Sequence, residues 1–297
     1  MSDRPDENAA EPSRARIRTV IVAAGRAAKA AASRLLRRVP VLGAGSRIYG
    51  GVASVPERRE ALRQAMQSML PQVDRMFVFL NDYPDVPDYL IHPNIEVFRS
   101  QEHGVRGAGG KFYGLTRVKS GFYFSFDDDI IYPRNYVAKM RADIRDCRYR
   151  AVVGVHGAYF PSRPRSYFDR YLCHYRDQNR TRSPMSILGT GTVAFPVPLV
   201  PITPDHFKSQ DRADLWFGVF LKERGIPAVT VERRAGWLTD IEHQTLSLYD
   251  HAFVDSRPHS RIVFAAQSWG VEDLVARTAG IDAAISPAWR AFVAFYR

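Results

Sequence analysis

The sequence predicts an α/β fold built on an open, mostly parallel sheet, and three observations carry that expectation. Short continuous apolar runs recur at residues 76–80 (MFVFL), 122–126 (FYFSF) and 151–155 (AVVGV), the pattern of strands buried on both faces. Other stretches show helical periodicity, best seen at 57–70, where Ala61, Leu62, Ala65, Met66, Met69 and Leu70 share one face opposite charged and amide residues. The two kinds of segment alternate along the chain, as they do where helices cover both faces of a sheet.

Ordered structure is expected to start near Arg47, with a first strand over 48–55 whose early part Gly50 and Gly51 weaken. Pro56 sits where a first helical turn begins, and Pro71 closes that helix. The second strand, 76–80, runs into the turn-rich segment NDYPDVPDY; a third strand follows at 95–98, then a loop at 100–110 holding four glycines. A short helix over 111–118 feeds the aromatic strand 122–126, and helix 133–145 leads to strand 151–155. Residues 156–184 read as loop rich in Tyr, Arg and Pro. Beyond them come a strand at 192–195, a helix near 212–224, a strand at 228–231 and a helical segment over 271–297 broken near Pro287. The chain thus divides into a tail, residues 1–46, and one domain, residues 47–297.

With 297 residues, 45% hydrophobic and 12% aromatic, that domain has ample material for a core. The two cysteines, Cys147 and Cys173, match no zinc spacing and make no disulfide framework, so a reducing cytoplasm is the expected compartment. The formal net charge is +11, of which +5 falls in residues 1–40. Such a balance suits anionic lipid, nucleic acid or a phosphate-bearing substrate without choosing among them. The best apolar stretch of the tail, 19–32, is interrupted by Gly25, Arg26 and Lys29, too short to cross a bilayer, and lacks the order of a secretory signal. Residues 14–38 are expected to be a mobile basic tail, with peripheral contact to the inner face of the plasma membrane as the alternative.

The most informative stretch is FYFSFDDDIIYP, residues 122–133, where a strand of core character ends in Asp127, Asp128 and Asp129. Adjacent carboxylates repel, which is costly at the edge of a core unless a cation neutralises them. Oxygen-only ligands suit Mg2+ or Mn2+. Ligands of open α/β sheets bind outside the carboxyl ends of the strands. Two further polar groups fall at such ends: Ser54 to Arg59 after the first strand, and Asn81 with Asp82 after the second. The loop HGVRGAGGK is not a phosphate-binding loop, because Val105 and Phe112 occupy positions that motif reserves for glycine and Ser or Thr. Its glycines still permit close backbone approach, with Lys111 as a phosphate or base contact. In QDRADLWFGVFLKERG, Asp211 and Asp214 lie three apart before Trp216; a carboxylate there suits a general base, while an N-cap and a first-turn charge are the plain alternatives.

In order, ASVPERREALRQAMQSMLPQVDRMFVFLNDY, GGKFYGL, GFYFSFDDDIIYP, LGTGTVAF and ADLWFG resemble the bacterial family 2-like glycosyltransferases of the GT-A fold, over residues 48–263. The resemblance implies a Rossmann-like open mixed sheet flanked by helices in a single catalytic domain. It implies transfer of a sugar from a nucleotide-diphosphate donor, a UDP-sugar, to a saccharide or lipid-linked acceptor with inversion, in surface polysaccharide or glycoconjugate synthesis. It places Asp129 as a ligand of Mn2+ or Mg2+, with Asp127 on the ribose or base side and reaching the metal too. Ala53, Ser54, Pro56, Arg58, Asn81, Lys111 and Asp128 surround the nucleotide, and Asp214 is the base. The sequence departs from the family after the second strand, where Asn81-Asp82-Tyr83 replaces consecutive aspartates.

His156, His243 and His251 are candidates for a further metal ligand, although a lone histidine is more often a loop or core residue. Trp237 fits an acceptor pocket or the core equally. Two other functions compete: a metal-dependent nucleotidyltransferase or phosphohydrolase, and a basic non-catalytic module for membrane or nucleic acid. Against the last, aromatic-basic RNA motifs are missing, so no nucleic-acid partner is expected.

Overall fold

Eight strands form one sheet in the order β3-β2-β1-β4-β11-β6-β12-β9. The computed structural model describes residues 43, 45–242, 254–266, 268–289 and 291. The tail expectation for 1–46 therefore lies almost wholly outside the described residues, as do His243 and His251. Strands β1 (Ile48–Ser54), β2 (Arg75–Leu80), β3 (Ile95–Arg99) and β4 (Phe122–Phe126) are mutually parallel. β11 (Thr192–Pro196) runs antiparallel to β4 and to β6 (Val152–Gly154), while β12 (Ala228–Thr230) is again parallel to β6. β9 (Ser183–Pro184) closes the edge antiparallel to β12. The sheet is mixed, and the carboxyl ends of β1, β2, β4, β6 and β12 all lie on one rim.

Burial on both faces explains why the strands read as unbroken apolar runs. Phe122, Phe124 and Phe126 point into one core with Val52, Met76 and Val78; Tyr123 points into the other with Phe77, Phe79, Val193 and Phe195. Helix α1 (Arg59–Met69), entered through a 3-10 turn at Pro56–Arg58, lays Leu62, Ala65, Met66 and Met69 on the first core. Helix α2 is the short Ser100–His103, and α3 is Tyr136–Asp146. Helix α4 (Ala213–Glu223) packs Phe217, Phe220 and Leu221 into the second core.

β1 runs through Gly50 and Gly51, and both accommodate neighbours. A Cβ on Gly51 would stand 2.0 Å from the Lys111 carbonyl oxygen and 2.1 Å from the Tyr123 hydroxyl. The missing side chain lets the 3-10 helix Gly107–Arg117 lie directly on the sheet, which brings Lys111 to the rim.

Residues 156–184 are more structured than expected. They hold β7 (Gly157–Tyr159), β8 (Tyr171–Cys173) and β9; β7 lies between β8 and β10 (Ile187–Leu188), pairing antiparallel with each in a three-stranded sheet. Each is too short for period-two alternation to show. A last ribbon pairs β5 (Ile130–Ile131), immediately after the aspartates, with β13 (Thr239–Asp240). Helices α5 (Arg257–Ala265) and α6 (Val271–Thr278) follow; the expected helical segment from 271 breaks after Thr278, ahead of Pro287, and helical residues resume at 287–289, while α5 was not expected. Among the described residues, no helix is long and apolar enough to cross a membrane.

Candidate active site

The strand order turns back between β1 and β4, the point at which an open sheet splays its loops and leaves a crevice. The carboxylates sit there, each held differently. Asp128 is 4% exposed and accepts from Arg58 Nη1 through Oδ1 at 3.1 Å, while Oδ2 is buried without a partner. Burial lifts its pKa to about 6, against the pull of Arg58 and with help from Asp129. The same Arg58 nitrogen donates to Asp129 Oδ2 at 2.9 Å. Arg58 ends the 3-10 turn that Pro56 opens, so the turn aims the guanidinium at both carboxylates.

Asp127 bears the ammonium of Lys111 on Oδ1, and its backbone N–H donates to the Tyr132 hydroxyl at 2.8 Å. That hydroxyl in turn donates to the Gly191 carbonyl at 2.6 Å. Lys111 is 5% exposed. Burial pulls its pKa down, but Asp127, with Asp214 and Asp128 behind it, outweighs burial and holds it above the ordinary lysine value. Its place is set by Phe112, whose ring stacks on Phe207 and Phe217, and by the Tyr123 hydroxyl donating to the Lys111 carbonyl at 2.6 Å.

Asp214 lies in the first turn of α4 and accepts from the backbone N–H and hydroxyl of Thr190, at 2.8 and 2.6 Å, both on Oδ1. Oδ2 makes no hydrogen bond among the described residues. Burial raises its pKa, opposed by the Thr190 bonds and by Lys111. A desolvated carboxylate with one oxygen fixed and the other free is equipped to take a proton. Asp211 does not share its helix face: α4 starts at Ala213 with Arg212 as N-cap and no side-chain cap, and Asp211 pairs with Arg212 at 2.6 Å.

Ala53, Ser54 and Pro56 line the end of β1 and the turn beyond it, with the Ser54 hydroxyl 3.0 Å from the Tyr83 hydroxyl. Asn81 is on the rim, but its amide is committed to backbone. Oδ1 accepts from the N–H groups of Arg106 and Gly107 at 3.1 and 2.9 Å, and Nδ2 donates to Gly107 O at 3.2 Å. These bonds clamp the glycine loop to the rim. Trp237 belongs to the core, packed on Tyr136.

Sequence reasoning missed Thr190, Gly191 and Tyr132. The signal for the first two was LGTGTVAF, whose glycines and threonine come before β11 and touch Asp127 and Asp214. His156 lies edge-on to His174, ring centres 5.1 Å apart, with Nδ1 unpartnered; burial drives its pKa down to about 3 and keeps it neutral.

Among the described residues, no three His, Cys, Asp or Glu side chains converge to cage a metal. Asp127 and Asp129 carry oxygen donors of the kind a Mg2+-class ion takes beside substrate phosphates, with Lys111 on one oxygen of Asp127 and Arg58 on one of Asp129.

No protein-family model matches this chain, and no curated protein matches it. Among solved structures it is similar to residues 1–349 of S. aureus TarS in complex with UDP-GlcNAc, at 14% identity and TM-score 0.47, over 68% of this chain and 60% of that one. It is also similar to TarS 1–349 alone (13% identity, TM-score 0.45, 84% of this chain and 85% of that one) and to S. aureus TarS (10%, 0.43, 84% and 52%). The chain thus spans about 60% of the first of these structures. Similarity at this level carries no inference about chemistry, which rests on the residues of the rim.

Proposed function

We propose that the protein is a metal-dependent glycosyltransferase that moves a sugar from a nucleotide-diphosphate donor, a UDP-sugar, to a hydroxyl of a saccharide or lipid-linked acceptor with inversion. One observation carries the reading. Two buried or half-buried cations, Arg58 and Lys111, three clustered carboxylates and the separate half-buried carboxylate Asp214 gather on one crevice at the switch point of the sheet.

Arg58 and Lys111 supply positive charge where a diphosphate leaves, and their fixed geometry means little reorganisation is needed as that charge develops. Asp129 and Asp127 are the residues that would hold the Mg2+ or Mn2+ ion, which supplies Lewis-acid stabilisation of the departing diphosphate when bound. Asp214 accepts the proton of the attacking acceptor hydroxyl at its free Oδ2, while Thr190 fixes the carboxylate through Oδ1. A single base opposite the leaving group gives inversion at the anomeric carbon.

The test is to incubate the protein with nucleotide-sugars and saccharide acceptors and to identify the released nucleotide. An intact nucleoside diphosphate with a transferred sugar supports the reading. Cleavage between the phosphates would instead indicate a nucleotidyltransferase or phosphohydrolase. Synthesis of a surface polysaccharide or glycoconjugate, at the inner face of the plasma membrane in the cytoplasm, is the setting that this chemistry suits.

A further inference from the structure

Beyond the end of β12, on the rim that carries the aspartates, lies an open cavity of about 380 Å3 whose lining includes Lys139, Asn179, Arg180, Glu232, Arg233 and Arg234. Arg233 is its unusual member. Only 5% exposed, its guanidinium donates to the carbonyls of Tyr175, Val231 and His174 and to the Cys173 sulfur, and it meets no carboxylate among the described residues. A buried cation answered only by neutral acceptors carries a desolvation cost, and an arriving anion offsets it.

The neighbouring charges point the same way. Arg180 and Arg234 are exposed and pair with no carboxylate among the described residues; Arg180 bonds only to the Gln178 amide, at 3.2 Å. Lys139 is answered by Asp143 at 3.1 Å, so Glu232, itself exposed, is the one lining carboxylate. The walls are fixed. Asn179 and Arg233 exchange backbone hydrogen bonds at 2.9 and 2.8 Å, and Asn179 Nδ2 donates to Val231 O at 2.8 Å. Arginines on such a frame can donate paired N–H groups to two oxygens of a phosphate or carboxylate.

A relay of contacts links the wall of the cavity to the crevice. Arg233 donates to the His174 carbonyl, the Tyr175 hydroxyl donates to Asp240, and Asp240 in β13 pairs with Ile130 in β5, one residue after Asp129. Three strand spacings separate β12 from β4, about 14 Å. We propose that this cavity is a subsite for an oxyanion, a phosphate or carboxylate carried by an extended acceptor whose hydroxyl reaches Asp214. The assignment of the anion to an acceptor rests on the glycosyltransferase reading; the affinity for an oxyanion does not.

The test is calorimetric titration of the full chain at low ionic strength, with UDP saturating so that added anion is kept off the donor crevice. The probes are inorganic phosphate, maltose 1-phosphate, maltose, and vesicles of phosphatidylcholine with phosphatidylglycerol. Both phosphates should bind and maltose should not. Arg180→Gln/Arg234→Gln, two exposed changes that leave the fold alone, should weaken both phosphates by about tenfold or more, with UDP affinity unchanged. Phosphate affinity indifferent to the double variant overturns the subsite alone. Lost vesicle binding with soluble phosphate unaffected also overturns it, in favour of a lipid-facing patch. Arginine-dependent phosphate binding by a protein with no affinity for UDP overturns the acceptor assignment and the donor reading together.

Discussion

Gly191 lies flush against the Asp127 carboxylate: a Cβ at that position would stand 1.7 Å from Oδ2 and 2.0 Å from Cγ. No rotamer of Ala escapes such an overlap, because the Cβ itself is the offending atom. Asp127 cannot retreat freely, since Lys111 holds its Oδ1 and Tyr132 holds its backbone N–H. Gly191→Ala is expected to displace the carboxylate from Lys111, at a stability cost of about 1–3 kcal/mol typical of overpacking. Turnover and UDP affinity should both fall. Thermal unfolding checks the first effect and calorimetric titration the second; unchanged affinity would show that Asp127 takes no part in donor binding.

Asp128 gives the fold a pH dependence of definite sign. Its pKa in the folded protein is about 6, above the ordinary Asp value of the unfolded chain. Between roughly pH 4 and 6 the folded state therefore binds more protons at this site than the unfolded state, and stability falls as pH rises. Oδ2 is buried and has no hydrogen-bond partner among the described residues, so the charged form is poorly stabilised there. Asp128→Asn keeps the acceptor that Arg58 uses and abolishes the titration. Relative to the variant, the wild type should lose on the order of 2 kcal/mol across that window, read from denaturant unfolding at a series of pH values. Parallel pH profiles for the two proteins would refute the assignment.

Asp129 is the residue proposed as the metal's first ligand. Asp129→Asn removes ligand charge while leaving an oxygen within reach of Arg58. The variant should fold, because Arg58 keeps its bond to Asp128 and an amide oxygen can replace the one lost, and should be inactive. UDP should stabilise the wild type against heat more strongly with Mn2+ than in excess chelator, and this difference should vanish in the variant. Full turnover in chelator would remove the ion from the mechanism and leave Arg58 and Lys111 as the whole of the electrophilic apparatus.

How much of this was legible in the sequence depends on the range of the contacts involved. The strands and the Asp run were legible because they are local: Phe122 to Phe126 are buried on both faces, and the charges follow without a break. Lys111 was visible as a residue, but its burial was not, because the space beneath it is made by Gly51 and the Phe112 stack. Thr190 and Gly191 escaped notice because they act on residues 24 and 64 positions away in sequence, Asp214 and Asp127. Strands of two or three residues, such as β7, β8 and β9, are too short to show a period. Arg233 reads as one more surface arginine until β12 carries it under the chain of Tyr175 and His174.

Asp214 offers the sharpest test of the chemistry. Its Oδ1 is held by two bonds from Thr190, so Asp214→Asn preserves the shape of the site and removes only the proton acceptor. A general base contributes typically about 10²–10⁴-fold, and turnover should fall by that factor. UDP affinity should change little, because the diphosphate is assigned to Arg58, Lys111 and the ion. In the wild type, turnover should be lost as pH falls through the pKa of the base. Burial raises that pKa, so the acid limb of the rate profile should lie above the ordinary carboxylate range. The control is Asp211→Asn, which only breaks the partly exposed pair with Arg212 and should cost about 1 kcal/mol or less without loss of turnover. Product configuration supplies an independent check: retention at the anomeric carbon would leave a lone base at Asp214 without a role, and the inverting mechanism would have to be given up.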